Sequence, residues 1–190
     1  MSSAYRIRIG ISQCLLGDHV RYDGGHKRDD LLADTLSQQV EWVPVCPEVE
    51  AGLGVPREPM RLVGTAASAR LVTITTNVDH TAAMHQFSAR RLRELDRLEL
   101  SGYVFKARSP SCGIGRVPLM NAQGVETSEG VGLFAQALIE HFPSLPIEDE
   151  DRLHDPQILK DFLQRVSDYR KSREHPPSQE ATAAKPWRNA

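Results

Sequence analysis

Several features that would settle the class of this chain outright are missing from it. With a formal net charge of −2 over 190 residues it has no basic excess. Binding to a phosphate backbone relies on such an excess, so a nucleic-acid partner is not expected. No apolar run approaches the roughly 18 residues that cross a bilayer, so no membrane span is expected. The opening "MSSAYRIRIGIS" lacks a signal-peptide apolar core, because arginines interrupt its short alternation. A cytoplasmic protein is the resulting expectation. The glycines of "GGHKRD" do not take the G-x-G-x-x-G spacing, which disfavours a dinucleotide site. Cysteine is scarce: three residues, none in a close C-x₂₋₄-C pair. Three thiols cannot all pair, and a reducing cytosol argues against disulfides. Core thiols, a single nucleophile or a shared metal site remain.

What is present alternates between strand and helix patterns. "YRIRIGIS" (5–12) has the period of a strand. A glycine- and charge-rich loop, "GDHVRYDGGHKRD", follows, and a helix is predicted through "DDLLADTLSQQ". "VEWVPV" (40–45) is a second strand, although Pro44 argues against regular pairing. Residues 47–60, rich in proline and glycine, read as loop. "ARLVTITT" (69–76) is a strand in a small excursion from the main sheet. Residues 79–98 carry a helical stripe of Met84, Phe87, Leu92, Leu95 and Leu98, with Arg91 inside it, either snorkelling or facing a polar cavity. "GYVF" (102–105), "GVGLFAQALIEHF" and "SLPIED" read as strand, helix and strand. Asp155 as N-cap and Pro156 at the first helical position announce a last helix, with Ile158, Leu159, Phe162, Val166 and Tyr169 on its buried side. Residues 1–172 form one domain in this reading, and 173–190, with adjacent prolines and no core pattern, a disordered tail. The alternation predicts an α/β, Rossmann-like three-layer fold with a mainly parallel sheet.

The cysteines are not random against that pattern. Cys14, Cys46 and Cys112 each fall at or just beyond the carboxyl end of a predicted strand, the edge at which open α/β sheets bind ligands. Their neighbours, "SQCLLG", "VCPEVEAG" and "SPSCGIG", are loop sequences, unlike the aliphatic surroundings of core thiols. One catalytic cysteine would explain one such loop, not three. Three thiolates suit zinc with an open fourth position, or an iron–sulfur cluster with one iron lacking a protein ligand; spacing does not choose between them.

"GISQCLLGDHVRYDGGHKRD", "VPVCPEVEAGLGVPREPMRL" and "FKARSPSCGIG" together resemble the bacterial TudS thiouracil desulfidase family, formerly a domain of unknown function. The resemblance spans roughly residues 6–170. It implies a [4Fe–4S] cluster on Cys14, Cys46 and Cys112, with the substrate's sulfur captured by the iron that no protein group binds. It also implies catalytic roles for Glu48, in the C-P-E motif, and Ser109, in S-P-S-C. The implied reaction is non-redox desulfuration of a small thiolated pyrimidine, thiouracil to uracil, with release of sulfide. The chemistry suits the residue types: a soft thiocarbonyl sulfur matches an open iron, and a carboxylate suits general base work on water. A non-catalytic iron–sulfur or zinc protein for sulfur storage or sensing is the alternative. Tyr22, Asp23, Gly24, Gly25 and His26 either close over the site or shape a turn. Ser111 is expected to support the Cys112 loop.

Overall fold

The structure is a computed structural model that describes residues 6–174. Its centre is a sheet of four parallel strands, β1 (Ile7–Ser12), β2 (Val40–Val45), β5 (Gly102–Phe105) and β8 (Ile147–Asp149), in the order β2-β1-β5-β8. The chain leaves β1 first toward one edge and later returns to its other side. β1 is therefore where the winding reverses, and the crevice beyond its carboxyl end is the expected ligand position. All four residues of β5 are buried, as a strand covered on both faces requires.

One face is covered by α2 (Thr81–Leu98) and α3 (Leu133–His141), whose Met84, Phe87, Leu95, Phe134 and Leu138 pack on Val43, Val45, Tyr103 and Phe105. The other is covered by α5 (Pro156–Glu174), through Phe162 and Val166, with Leu32 and Leu36, against Ile9, Ile11 and Val104. The fold is thus the expected α/β three-layer arrangement. Gly10 leaves room for the ring of its cross-strand partner: a Cβ built there would stand 2.1 Å from Cδ2 of the buried Tyr103 ring.

A second sheet extends the expected excursion at 69–76. It holds β3 (Met60–Val63), β4 (Arg70–Thr73), β6 (Val117–Met120) and β7 (Glu126–Gly130), in the order β4-β3-β6-β7. Two antiparallel hairpins join through the parallel pairing of β3 with β6, Leu62 opposite Leu119. β3 follows the Cys46 loop and β6 follows the Cys112 loop, so this sheet ties together two distant excursions of the chain. β3, β6 and β7 were not expected: "VPLM" carries an exposed proline and "ETSEG" is almost wholly polar, so their pairing comes from each other and not from an alternating pattern.

Other elements differ locally. "DDLLADTLSQQ" forms only a π-helical turn, Leu31–Thr35, and a 3₁₀ turn, Leu36–Gln38. The Leu32 carbonyl accepts from Ser37 Oγ (3.1 Å) and Trp42 Nε1 (3.2 Å), so side chains take an acceptor that a regular helix would use. Pro44 does not break β2, because β2 is an edge strand and no neighbour needs the missing N–H. The loop expected over 47–60 begins with a helical turn, α1 (Pro47–Glu50). Asp155 caps α5 as read, its Oδ1 accepting from the N–H groups of Gln157 (2.8 Å) and Ile158 (3.3 Å). α5 continues to Glu174, past the expected domain end at 172, and the remainder of the expected tail lies outside the described residues. Among the described residues no helix is long and apolar enough to cross a membrane.

Candidate functional site

The three cysteines follow β1, β2 and β5 and line one cavity of about 220 Å³ at the carboxyl edge of the sheet. Each is set by a different local device. Cys14 sits in a 3₁₀ turn, Gln13–Leu16, and its carbonyl accepts from Lys27 N (2.9 Å), drawing the far end of the following loop back to the site. Cys46 is the N-cap of α1, and its N–H donates to Glu50 Oε1 (2.9 Å). Cys112 lies in a turn closed by Gly113 N on Ser109 O (2.8 Å) and seated on the first turn of α3, where Phe134 N and Ala135 N donate to Ser111 O (3.0 and 3.1 Å). Gly132 opens the way for that seat, since a Cβ there would lie 2.4 Å from the Ser111 carbonyl carbon.

All three thiols resist ionisation while metal-free. Burial, and then the neighbouring Cys46, push the Cys14 thiol up to about 11, with Lys106 and Arg21 pulling the other way. Burial also raises Cys46, opposed first by the N–H of Val49. Burial raises Cys112 well above its ordinary value against a hydrogen bond from Ser12. Burial is the first cause at all three, and a cationic centre replacing the thiol protons would offset it. Among the described residues no group of three His, Cys, Asp or Glu side chains is placed to hold one metal ion. Three sulfurs lining one cavity are the soft donors that an iron–sulfur cluster takes.

Glu48, on α1, lies at the wall of the same cavity with its side chain 14% exposed. Its Oε2 accepts from Arg57 Nε (2.8 Å) and closely from Arg57 Nη2, and its Oε1 accepts from Ser111 Oγ (2.8 Å). Ser111 therefore does support the Cys112 turn, and it also reaches the carboxylate. Ser109 lines the cavity too, but its oxygen is occupied: Oγ accepts from Ser111 N (3.2 Å) and Cys112 N (3.1 Å). With both lone pairs used, the hydroxyl proton is what Ser109 has left to offer a ligand.

The mouth loop divides its labour. Tyr22 lines the cavity, 39% exposed, with the Arg21 guanidinium 5.2 Å from its ring centre. Asp23 and His26 shape the turn: Asp23 Oδ1 accepts from Gly25 N (3.0 Å), and His26 Nδ1 accepts from Arg28 N (3.1 Å). The Gly25 N–H, above all, holds the exposed Asp23 carboxyl below its ordinary range. Arg91 does not snorkel. It pairs with Glu50 (3.3 Å) and Glu94 (2.8 Å) behind Cys46.

The roles of Arg57, Lys106 and Ser12 are not legible in the sequence. Lys106 borders the cavity and pairs closely with the buried Glu150, whose other oxygen accepts from Ala107 N (2.6 Å). Ser12 Oγ accepts from Lys106 N (2.9 Å), linking β1 to the end of β5. The signal for Arg57 was its place in "VPREP", but nothing in spacing separates it from a surface arginine.

The doubly wound sheet is an α/β fold of the kind that binds ligands at its switch edge, and it brings three thiols and a clamped carboxylate to one cavity there. The chain belongs to the family described as 2-thiouracil desulfurase, whose pattern it matches over residues 9–150. Among solved structures it is similar to a [4Fe–4S]-dependent thiouracil desulfidase, TudS, at 30% identity and a TM-score of 0.64, over 82% of this chain and 99% of that one. It is also 30% identical over 113 residues to the uncharacterized protein YbbK of Bacillus subtilis (strain 168), covering 56% of this chain and 74% of that protein.

Proposed function

We propose that this protein removes sulfur from a small thiolated pyrimidine such as thiouracil, by net hydrolysis at a [4Fe–4S] cluster held by Cys14, Cys46 and Cys112. The observation that carries the reading is the position of Glu48, a clamped carboxylate on the cavity that the three thiols share. The similarity to a cluster-dependent desulfidase supports the cluster type and the substrate class. Water supplies the oxygen of uracil and the sulfur leaves as hydrogen sulfide, so atoms and electrons balance without an electron donor. When bound, a cluster with one iron free of protein ligands supplies a soft Lewis-acid position for the thiocarbonyl sulfur.

The chain's own residues handle the proton and the water. Glu48 accepts a proton from the attacking water as general base, its carboxylate aimed by partners on two sides. Ser109, whose oxygen already accepts two amides, presents its O–H to the heterocycle. Lys106, anchored by Glu150, holds a positive charge beside Cys14. The apolar part of the wall, with Val20, Val45 and Pro59, limits bulk water around the reacting carbon.

The test is anaerobic purification, assay of iron and labile sulfide, then incubation with 2-thiouracil and 4-thiouracil while uracil and sulfide are measured. Wild-type protein is expected to turn over at least one isomer without a reductant. Glu48→Gln is expected to keep the cluster and lose turnover by roughly 10²–10⁴-fold. Iron-loaded wild type that releases no sulfide from either isomer, with Glu48→Gln behaving identically, would favour a non-catalytic role in sulfur storage or sensing.

A further inference from the structure

We propose that Arg57 is a positioning residue that fixes the Glu48 carboxylate and, through the same guanidinium, straps the mouth loop down. The kinetic part of this inference rests on the function proposed above; the strap itself does not.

Arg57 lies in the connection between α1 and β3, and only 7% of its side chain is exposed. A buried guanidinium needs acceptors for its fork of donors, and here each nitrogen has one. Nε and Nη2 both donate to Glu48 Oε2. Nη2 also donates to the Val20 carbonyl (3.0 Å), and Nη1 to the Gly54 carbonyl (2.8 Å). Its backbone N–H donates to the Tyr22 carbonyl (2.9 Å). The Val20 carbonyl is in turn the acceptor for the Cys46 thiol (3.7 Å).

One planar cation therefore joins the catalytic carboxylate, the loop after α1 and the loop segment that carries Tyr22 over the cavity. Ser111 holds the other carboxylate oxygen from the Cys112 turn, so Glu48 is fixed from the loops after β2 and β5 together. Seating of the mouth loop and aiming of the carboxylate become one event, since both draw on the same fork. A lysine would bring the charge on one nitrogen, without the separate nitrogens that reach Glu48, Val20 and Gly54 from different sides. With the guanidinium gone, Glu48 keeps Ser111 alone and Val20 loses its strap.

Arg57→Gln and Arg57→Lys holoproteins would be compared with wild type by hydrogen exchange, iron and sulfide content, and steady-state kinetics on thiouracil. Exchange over residues 18–25 is expected to rise about 10-fold or more in both variants, as the loss of charge-assisted bonds implies. Iron and sulfide per chain should stay at the wild-type level. In Arg57→Gln, kcat should fall on the order of 10²-fold with KM changed by less than about threefold, the sign of a misplaced reacting group and not of lost binding. Arg57→Lys should recover part of kcat while its loop stays loose, and it carries the test if Arg57→Gln fails to fold. Unchanged exchange over 18–25 overturns the strap. Wild-type kcat in a loosened variant, or a loss confined to KM, overturns the positioning role. Should wild-type protein itself show no turnover, the proposed function fails, and the exchange measurement decides the strap without it.

Discussion

Gly132→Ala tests the claim that the Cys112 turn is placed by its contact with α3. The added Cβ would stand 2.4 Å from the Ser111 carbonyl carbon, 2.6 Å from its oxygen and 2.6 Å from Cys112 N. Carbon atoms settle near 3.5–4.0 Å, so about 1 Å must open between the turn and the helix. Every atom in the way is backbone, and the Ser111 carbonyl is already held by Phe134 N and Ala135 N, so no side chain can swing aside. Overpacking of this kind costs about 1–3 kcal/mol. For a chain of this length, that lowers Tm by about 2–12 °C. A turn displaced by about 1 Å moves Cys112, the proposed cluster ligand, and loss of such support weakens metal sites by roughly 10–100-fold. The assay is thermal melting of the metal-free chain, with iron retention under a chelator in the loaded one. Two neighbours sharpen it. Gly115→Ala, with nothing within 4 Å of its Cβ, should match wild type. Gly132→Ser brings the same Cβ with a better N-cap, so it should rescue little if steric displacement dominates. Gly132→Ala that melts and retains iron as wild type does would refute the reasoning.

Cys14→Ala, Cys46→Ala and Cys112→Ala should each abolish stable cluster binding, and a single replacement that keeps full iron and sulfide content would remove that residue from the ligand set. Tyr103 is fully buried, and its hydroxyl has no hydrogen-bond partner among the described residues. Tyr103→Phe should therefore stabilise the metal-free chain by about 1–3 kcal/mol in urea unfolding; destabilisation would mean that the hydroxyl is satisfied. Glu150→Ala strips Lys106 of its partner at a site where the two side chains are 15% and 7% exposed. It should cost about 3–5 kcal/mol, and a loss below about 1 kcal/mol would place the pair among ordinary surface ion pairs.

Elements whose burial pattern is strong and local were legible in the sequence. β1, β5, α2 and α5 form where their apolar patterns, Asp155 and Pro156 place them: the two strands are apolar enough to be covered on both faces, and each helix has one buried stripe. The sequence also placed three cysteines at strand ends, and the alternation of elements then implied a shared edge. What it could not determine is whatever depends on partners distant in the chain. β3, β6 and β7 exist because two loops pair with each other, and neither loop carries the alternation alone. The helix expected after residue 29 yields to a tryptophan and a serine that take one carbonyl. The roles of Arg57 and Lys106, and the bond from Ser111 to Glu48, likewise depend on distant partners. A buried arginine and a surface arginine look alike in sequence, and only the fold supplies the carboxylate and carbonyls that distinguish them.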